Sequence, residues 1–351
     1  MCTQIVRTIA RTSPIGPWFR YDVDVARVLA HHFRMGPQLP RPSSSHPTRK
    51  PLTGRPKVVL GLVDEAQEFQ RLQAEDAQSA AAESGLDLEV LYAENNAVVQ
   101  IQQLYQVVHL PADSRPSVVI VHTVAGEGLE RLARAAVRLG IGWILLGRRV
   151  AYLDELRRQQ PKLPIGMIGA DNLEIGRIQG RQFQALVPDG GLVLYIRGPA
   201  DTSAARDRLA GVEEVCGRRI DLEILDGQWT EASGEEAISA WLALKQFQTS
   251  PPRVIGCQND AMAVGARRAL HAAAAKVPSL AKIPITGVDG LPAGGRSHVD
   301  QGTLAATVIT PSNTGPAIRS LIQTLQGRAS FPREQLLAPS SYPDLTDLGA
   351  R

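Results

Sequence analysis

The sequence predicts an α/β protein built from two doubly wound parallel sheets. Three observations carry that prediction. Short Val/Ile/Leu runs alternate with longer stretches in which apolar residues recur at spacings of three and four. The runs are continuously apolar rather than alternating, as in strands that helices cover on both faces. The alternation also restarts after Ile165–Gly169 and the hinge-like Ala170-Asp-Asn172, which gives two series of similar size and hence two lobes. Right-handed crossovers confine each series to a doubly wound sheet.

In the first series, strands are expected at Val58–Val63, Leu86–Tyr92, Val118–His122, Ile141–Leu146 and Ile165–Gly169. Helices are expected between them over Gln67–Ser84, Val98–Leu110 and Gly128–Leu139, while Arg148–Pro164 reads as a polar interruption. The second series opens with a helix over Glu174–Leu186 and continues with strands at Leu192–Ile196, Asp221–Leu225, Val254–Cys257, Ile283–Val288 and Leu304–Ile309. Helices over Ser203–Cys216, Gly234–Phe247 and Asn313–Leu325 fit the same spacing, and the tail reads as loop. At 351 residues the chain is long enough for two cores.

Residues 1–56 differ in kind. They hold nine lysines and arginines against Asp22 and Asp24, so the remaining chain is mildly acidic and a poor nucleic-acid surface. Met1–Trp18 is basic but lacks an apolar central region and a small-residue cleavage site, which makes it a poor secretory signal. Tyr21–Phe33 fits an amphipathic helix, and Gly36–Lys57, rich in Pro, Ser and basic residues, reads as linker or disorder. Asp24–Leu29 faintly resembles the first helix of the helix-turn-helix in sugar-responsive repressors. Pro37, Pro40 and Pro42 stand where its second helix should follow. The stretch therefore reads as a basic, Pro-rich, disordered extension, or as the product of an upstream start not used in the cell.

Composition and motifs exclude several functions. No apolar run approaches the ~18 residues of a membrane span. Cys2, Cys216 and Cys257 form no metal-ligand or disulfide pattern, and Cys257 reads as a small core residue. There is no Gly-x-Ser-x-Gly elbow, P-loop, His-Glu-x-x-His or dinucleotide fingerprint. The glycines of Gly287–Gly295 lack phosphate-cradling spacing and read as a surface loop. His122, at a strand end, has no identifiable partner for general-base work. No enzyme, cofactor or metal is expected.

Polar residues collect instead where strands end. In Val254–Leu270 a short apolar run breaks at Gln258-Asn-Asp260 and continues as helix. Asn259 and Asp260 can serve as helix caps, or can line the carboxyl edge where open α/β sheets bind ligands. Arg206, Trp229, Asn259, Asp289 and Thr310 all follow predicted strands of the second series. Arg supplies a rigid donor fork, a carboxylate accepts from hydroxyls, Asn does both, and Trp offers an apolar face, so the set suits a small polyhydroxylated ligand.

Thr202-Ser-Ala-Ala-Arg-Asp-Arg208, Gln258-Asn-Asp-Ala-Met-Ala-Val-Gly265, Gly287-Val-Asp-Gly290 and Asp300-Gln-Gly-Thr-Leu-Ala-Ala-Thr307 resemble the type I periplasmic sugar-binding proteins, specifically the ribose-binding-like group. Gly169-Ala-Asp-Asn172 resembles that family's first interlobe crossing, and the resemblance runs from about Lys57 to Gly327. It implies a two-lobed fold with a three-segment hinge, the crossings falling near Ala170, Thr310 and Leu337. One lobe would comprise residues 57–170 plus 311–336, the other 171–310 plus 337–351. The ligand would lie between them as the solute of an ABC importer. Matched by position, the family's sugar-contacting arginine falls on Arg206, its stacking aromatic on Trp229, its asparagine on Asn259 and its aspartate on Asp289.

The first lobe departs from that pattern. Asn-Pro-Phe-Phe after the first strand becomes Gln67-Glu-Phe-Gln70, which keeps the aromatic Phe69, and the Asp-Arg ending the fourth strand becomes Gly147-Arg148. The glutamine at the second crossing is replaced around Thr310. An arginine without its aspartate favours an anionic or more oxidised ligand. The resemblance implies ABC permease subunits as partners, a monomer, and a periplasmic or cell-envelope location. The alternative is a cytoplasmic ligand sensor, or the effector domain of a transcriptional regulator of the same fold.

Overall fold

The computed structural model describes residues 55–124, 126–244 and 251–348. The basic stretch before them, with its expected Tyr21–Phe33 helix and linker, lies outside the described residues, as does the end of the helix expected over Gly234–Phe247.

The strands of the first series are β1 (Lys57–Leu62), β2 (Asp87–Tyr92), β3 (Val118–Val121), β4 (Gly142–Leu146) and β5 (Ile165–Ala170). Those of the second are β6 (Gly191–Arg197), β7 (Ile220–Asp226), β8 (Val254–Cys257), β9 (Ile285–Thr286) and β10 (Thr307–Ile309), followed by β11 (Glu334–Leu337) and β12 (Ser340–Tyr342). The longer helices are α1 (Glu68–Ser84), α2 (Ala97–Val108), α3 (Glu130–Arg138), α4 (Tyr152–Gln159), α5 (Asn172–Leu186), α6 (Ser203–Cys216), α7 (Glu231–Ala243), α8 (Asp260–Ala274) and α9 (Thr314–Leu325).

One parallel sheet has the order β11-β5-β4-β3-β1-β2, and a second has the order β7-β6-β8-β9. The strand order reverses between β1 and β3 in the first and between β6 and β8 in the second. At such points the crossover helices leave to opposite faces and a crevice opens at the carboxyl ends. Both sheets are covered on both faces, as the continuous apolar runs require. Leu104, Val108, Ala133, Val137, Leu153 and Leu156 of α2–α4 pack one face of the first sheet; Ala74, Ala77 and Ala81 of α1 with Ala317, Ile318 and Leu321 of α9 pack the other. On the second sheet Ile238, Trp241, Met262 and Ala266 of α7 and α8 oppose Phe183, Val212 and Cys216 of α5 and α6. Cys257 sits fully buried in this core.

Caps fix where the helices begin. Asn96 accepts from Val98 N–H at 2.9 Å, Asp171 from Glu174 N–H at 3.1 Å, Thr202 from Ala205 N–H at 3.3 Å, and Asn259 from Met262 N–H at 2.9 Å. A cap of this kind satisfies an otherwise orphaned N–H. It also leaves a polar side chain at a strand-to-helix junction, the edge where the site forms.

Three segments join the sheets: β5 runs into α5 through Asp171, β10 into α9 through residues 310–313, and β11 into β12 through residues 338–339. The first and third lie side by side, with Asp171 N–H donating to the Leu337 carbonyl at 3.0 Å. The fold is thus two doubly wound parallel-sheet lobes joined by a three-segment hinge.

Several local expectations need correcting. The interruption over Arg148–Pro164 contains the helix α4, whose Tyr152, Leu153 and Leu156 are buried beneath a polar outer face. The tail expected as loop supplies β11 to the first sheet and β12, which pairs antiparallel with β10. The strand expected over Ile283–Val288 is only Ile285–Thr286, and that over Leu304–Ile309 only Thr307–Ile309. The Gly287–Gly295 segment is not a plain surface loop. It wraps a buried carboxylate: a Cβ on Gly287 or Gly295 would meet an Asp260 side-chain oxygen at 2.0 or 1.9 Å.

Candidate functional site

A cavity of about 400 Å³ lies between the two sheets, and its walls are the carboxyl ends of their strands. The first lobe lends residues that follow β1 (Gln67, Phe69, Gln70), β3 (His122, Val124) and β4 (Gly147, Arg148). The second lends residues that follow β6 (Asp201, Thr202, Arg208), β7 (Gln228, Trp229), β8 (Asn259) and β9 (Asp289). Ala170, Asn172, Thr310 and Asn313 line it from the crossings.

Seven of the eight residues expected to bind ligand line this cavity: Gln67, Phe69, Arg148, Trp229, Asn259, Asp289 and Thr310. The exception is Arg206. Its side chain is exposed and donates to the Asp201 carbonyl at 3.0 Å, away from the cavity. The arginine in the wall is Arg208. Residues two apart on a helix point about 200° apart, so only one can face inward. The buried face of α6 runs Ala205, Arg208, Val212, Cys216, and Arg208 belongs to it. That spacing is the signal in the sequence; matching by motif position alone picks the arginine that faces away from the cavity.

Arg208 is held from several sides. Nε donates to Asn172 Oδ1 at 2.9 Å, Nη1 donates to the Gln258 carbonyl, and the guanidinium lies 5.6 Å from the centroid of the Trp229 ring. Gln258 braces the same wall, accepting from Gly198 N–H at 2.9 Å and donating to the Ala205 carbonyl at 3.0 Å. The indole lies flush against Gly198, where a Cβ would come within 2.0 Å of the ring. Trp229 holds φ = +63°, an uncommon conformation outside glycine, and Asn259 Nδ2 donates to its carbonyl at 2.9 Å. Asn259 therefore caps α8 and also fixes the aromatic, so the cap and ligand-edge placements are both realised.

Asp289 holds φ = +117° in the same wall. Burial pushes its carboxyl up to about 7 while the charge of Arg208 opposes the shift. Asp260, one layer deeper, accepts from Gly290 N–H at 2.8 Å and from the Thr307 hydroxyl at 2.7 Å. Burial, and then the neighbouring Asp289, raise its pKa well above the usual carboxylate range.

On the first-lobe side, Gln70 accepts from Val63 N–H at 3.1 Å and turns its amide nitrogen to His122 Nδ1 at 2.9 Å. Nδ1 must then be an acceptor, and the ring proton sits on Nε2. Burial, followed by the charge of Arg148, pushes His122 down to about 3, so the imidazole is neutral. With so low a pKa and its Nδ1 engaged by Gln70, the ring is too weak a base for general-base work near neutrality, and its Nε2–H is free to donate a hydrogen bond. Burial also lowers the Arg148 pKa, with Asp201 opposing. At the crossing, Thr310 Oγ1 and Asn313 Oδ1 are buried with no hydrogen-bond partner. Outside this cavity, Arg149 donates to Asp207 of the second lobe at 3.1 Å and pairs with Glu334 of the first. Such an exposed pair contributes only about 0–1 kcal/mol to holding the lobes together.

Two doubly wound lobes, three crossings and a polar cleft at both switch points define a hinged, two-lobed binding protein. The chain belongs to the periplasmic binding protein domain family, which matches residues 58–328. It is 27% identical over 241 residues to a fructose import binding protein of Bifidobacterium longum, covering 67% of this chain and 69% of that one. It is likewise 27% identical over 234 residues to a ribose import binding protein of Salmonella typhimurium, covering 66% and 71%. Among solved structures, a Caulobacter myo-inositol binding protein bound to myo-inositol superposes with a TM-score of 0.70 at 25% identity, over 86% of this chain and 98% of that one.

Proposed function

We propose that the chain is the solute-binding component of an ABC-type importer and closes its two lobes on a small polyhydroxylated, sugar-like solute. One observation carries this reading: a single interlobe cavity takes polar and aromatic groups from both walls and from the hinge itself. Such a site is complete only when the lobes meet, so a ligand touching both walls favours the closed form by its differential contacts. Residues 57–170 with 311–336, and 171–310 with 337–351, would move as the two bodies. The reading takes the chain as a monomer. Location in the periplasm or cell envelope and permease partners follow from the same reading, and it includes no catalytic step. The relatives named above are import binding proteins, which favours this reading over a cytoplasmic sensor or regulator.

Trp229 and Phe69 supply apolar faces for C–H groups, Asp289 accepts from hydroxyls, and Arg208 donates to ring or hydroxyl oxygens. Titration calorimetry with pentoses, hexoses, inositols and sugar acids is expected to give a saturable one-to-one isotherm for at least one class. Absence of binding across the whole panel would place the ligand outside the sugar-like solutes.

A further inference from the structure

The first-lobe wall of the cavity carries a guanidinium and several N–H donors, and its side-chain acceptors are neutral amide oxygens such as the unpartnered Asn313 Oδ1. Arg148 is its one charged lining side chain among the described residues, and this lobe lends no carboxylate to the lining. Among the described residues Arg148 forms no ion pair either; Nη1 donates to the Val124 carbonyl at 3.3 Å, and Asp201 on the opposite wall lies beyond ion-pair distance. His122 presents Nε2–H, because its Nδ1 is committed to Gln70. Between them lies Gly147. A Cβ placed on it would stand 3.7 Å from His122 Nε2 and 3.6 Å from Asn313 Nδ2 in ordinary contact, so the hollow beside this glycine is faced by two N–H donors. The buried, unpartnered hydroxyl of Thr310 lies in the same cavity.

A sugar hydroxyl both donates and accepts, and against this wall its proton finds no carboxylate. A carboxylate only accepts, at about four lone-pair positions, and an arginine fork with two further N–H groups satisfies it. We propose that the solute carries a carboxylate seated at Gly147 against Arg148, His122 and Asn313, so that the chain selects sugar acids over the corresponding neutral sugars. The inference rests on the sugar-like reading given above. The opposite wall, with Asp289, Asn259 and Trp229, would serve the hydroxyls and the ring.

The test is calorimetric, with glucuronate against glucose, galacturonate against galactose and gluconate against sorbitol, on the parent and on two variants. In the parent, the acid of at least one pair is expected to bind at least tenfold more tightly than its neutral counterpart. A Cβ on Gly147 meets only ordinary contacts, and φ = +68° is a conformation aspartate accepts better than most residues, so Gly147→Asp is the variant to make. It would put the carboxylate on the protein, and the preference should reverse to the neutral sugar. Arg148→Gln, which leaves Gly147 alone, should cut the acid-to-neutral ratio at least tenfold, and thermal melts confirm that each variant is folded. A parent that binds the neutral sugar as tightly as its acid in every pair it binds overturns the carboxylate while leaving the sugar reading standing. A parent that binds none of these six solutes, nor any of the wider panel, overturns both.

Discussion

Arg208→Ala is expected to weaken solute binding by roughly ten- to a hundredfold, while Arg206→Ala leaves it within about twofold. The first figure corresponds to losing charge-assisted hydrogen bonds worth about 1.5–3 kcal/mol. The second is the usual scale for an exposed substitution, about 0.5 kcal/mol. Arg208 is 8% exposed in the cavity wall and holds Asn172 Oδ1 and the Gln258 carbonyl, whereas Arg206 faces solvent. Truncating Arg208 also orphans those two acceptors, at about 1–3 kcal/mol of stability. Thermal melts of both variants beside calorimetry separate the two losses. Equal losses of affinity for the two variants would mean that α6 is turned differently from the structure described here.

Asp289→Asn should weaken binding by about tenfold or more and yet raise the thermal midpoint above neutral pH. The binding loss follows from replacing a carboxylate acceptor with a neutral amide. The stability gain follows from linkage. An aspartate in the unfolded chain releases its proton near 3.8, whereas burial holds the folded group to about 7. Between those values the folded protein carries a proton that the unfolded chain has lost. The group's contribution to stability therefore falls as pH rises through that window, and above it a poorly solvated charge remains. Asparagine removes that charge and tolerates positive φ better than most residues. The midpoint gap between variant and parent should be widest near pH 8 and shrink toward pH 4. A variant that loses stability at pH 8 would show that attraction to Arg208 outweighs desolvation. Opposite signs for binding and stability are what a binding wall under strain predicts.

The fold was legible because its signals are physical and local. Runs such as Val118–Val121 and Ile144–Leu146 are apolar on every residue because helices cover both faces of the sheet. The polar residues at strand ends point to the edge where the cavity opens, and seven of the eight positions they single out line its wall. What failed had physical reasons too. The motif's place points to Arg206, but which arginine faces inward is decided by the turn of α6 and by its close packing on α5. There a Cβ on Gly176 would come within 2.0 Å of the Arg208 carbonyl. The helix α4 was hidden because two buried leucines and a tyrosine on an otherwise polar turn give too short a periodic signal. Strands β11 and β12 pair with segments far back in the chain, and no local pattern encodes such partners. His122 and Asn313 gain meaning only beside Gly147, a glycine whose missing side chain is visible in sequence but whose neighbours are not.

The central claim is that solute binding between the lobes closes the hinge. Small-angle X-ray scattering of the full chain, alone and with a solute whose saturation calorimetry has established, tests it directly. The radius of gyration is expected to fall modestly on binding, and not at all with a sugar that gives no heat. A profile unchanged at saturation would contradict hinge closure, because a solute held by both walls cannot leave their separation unaffected.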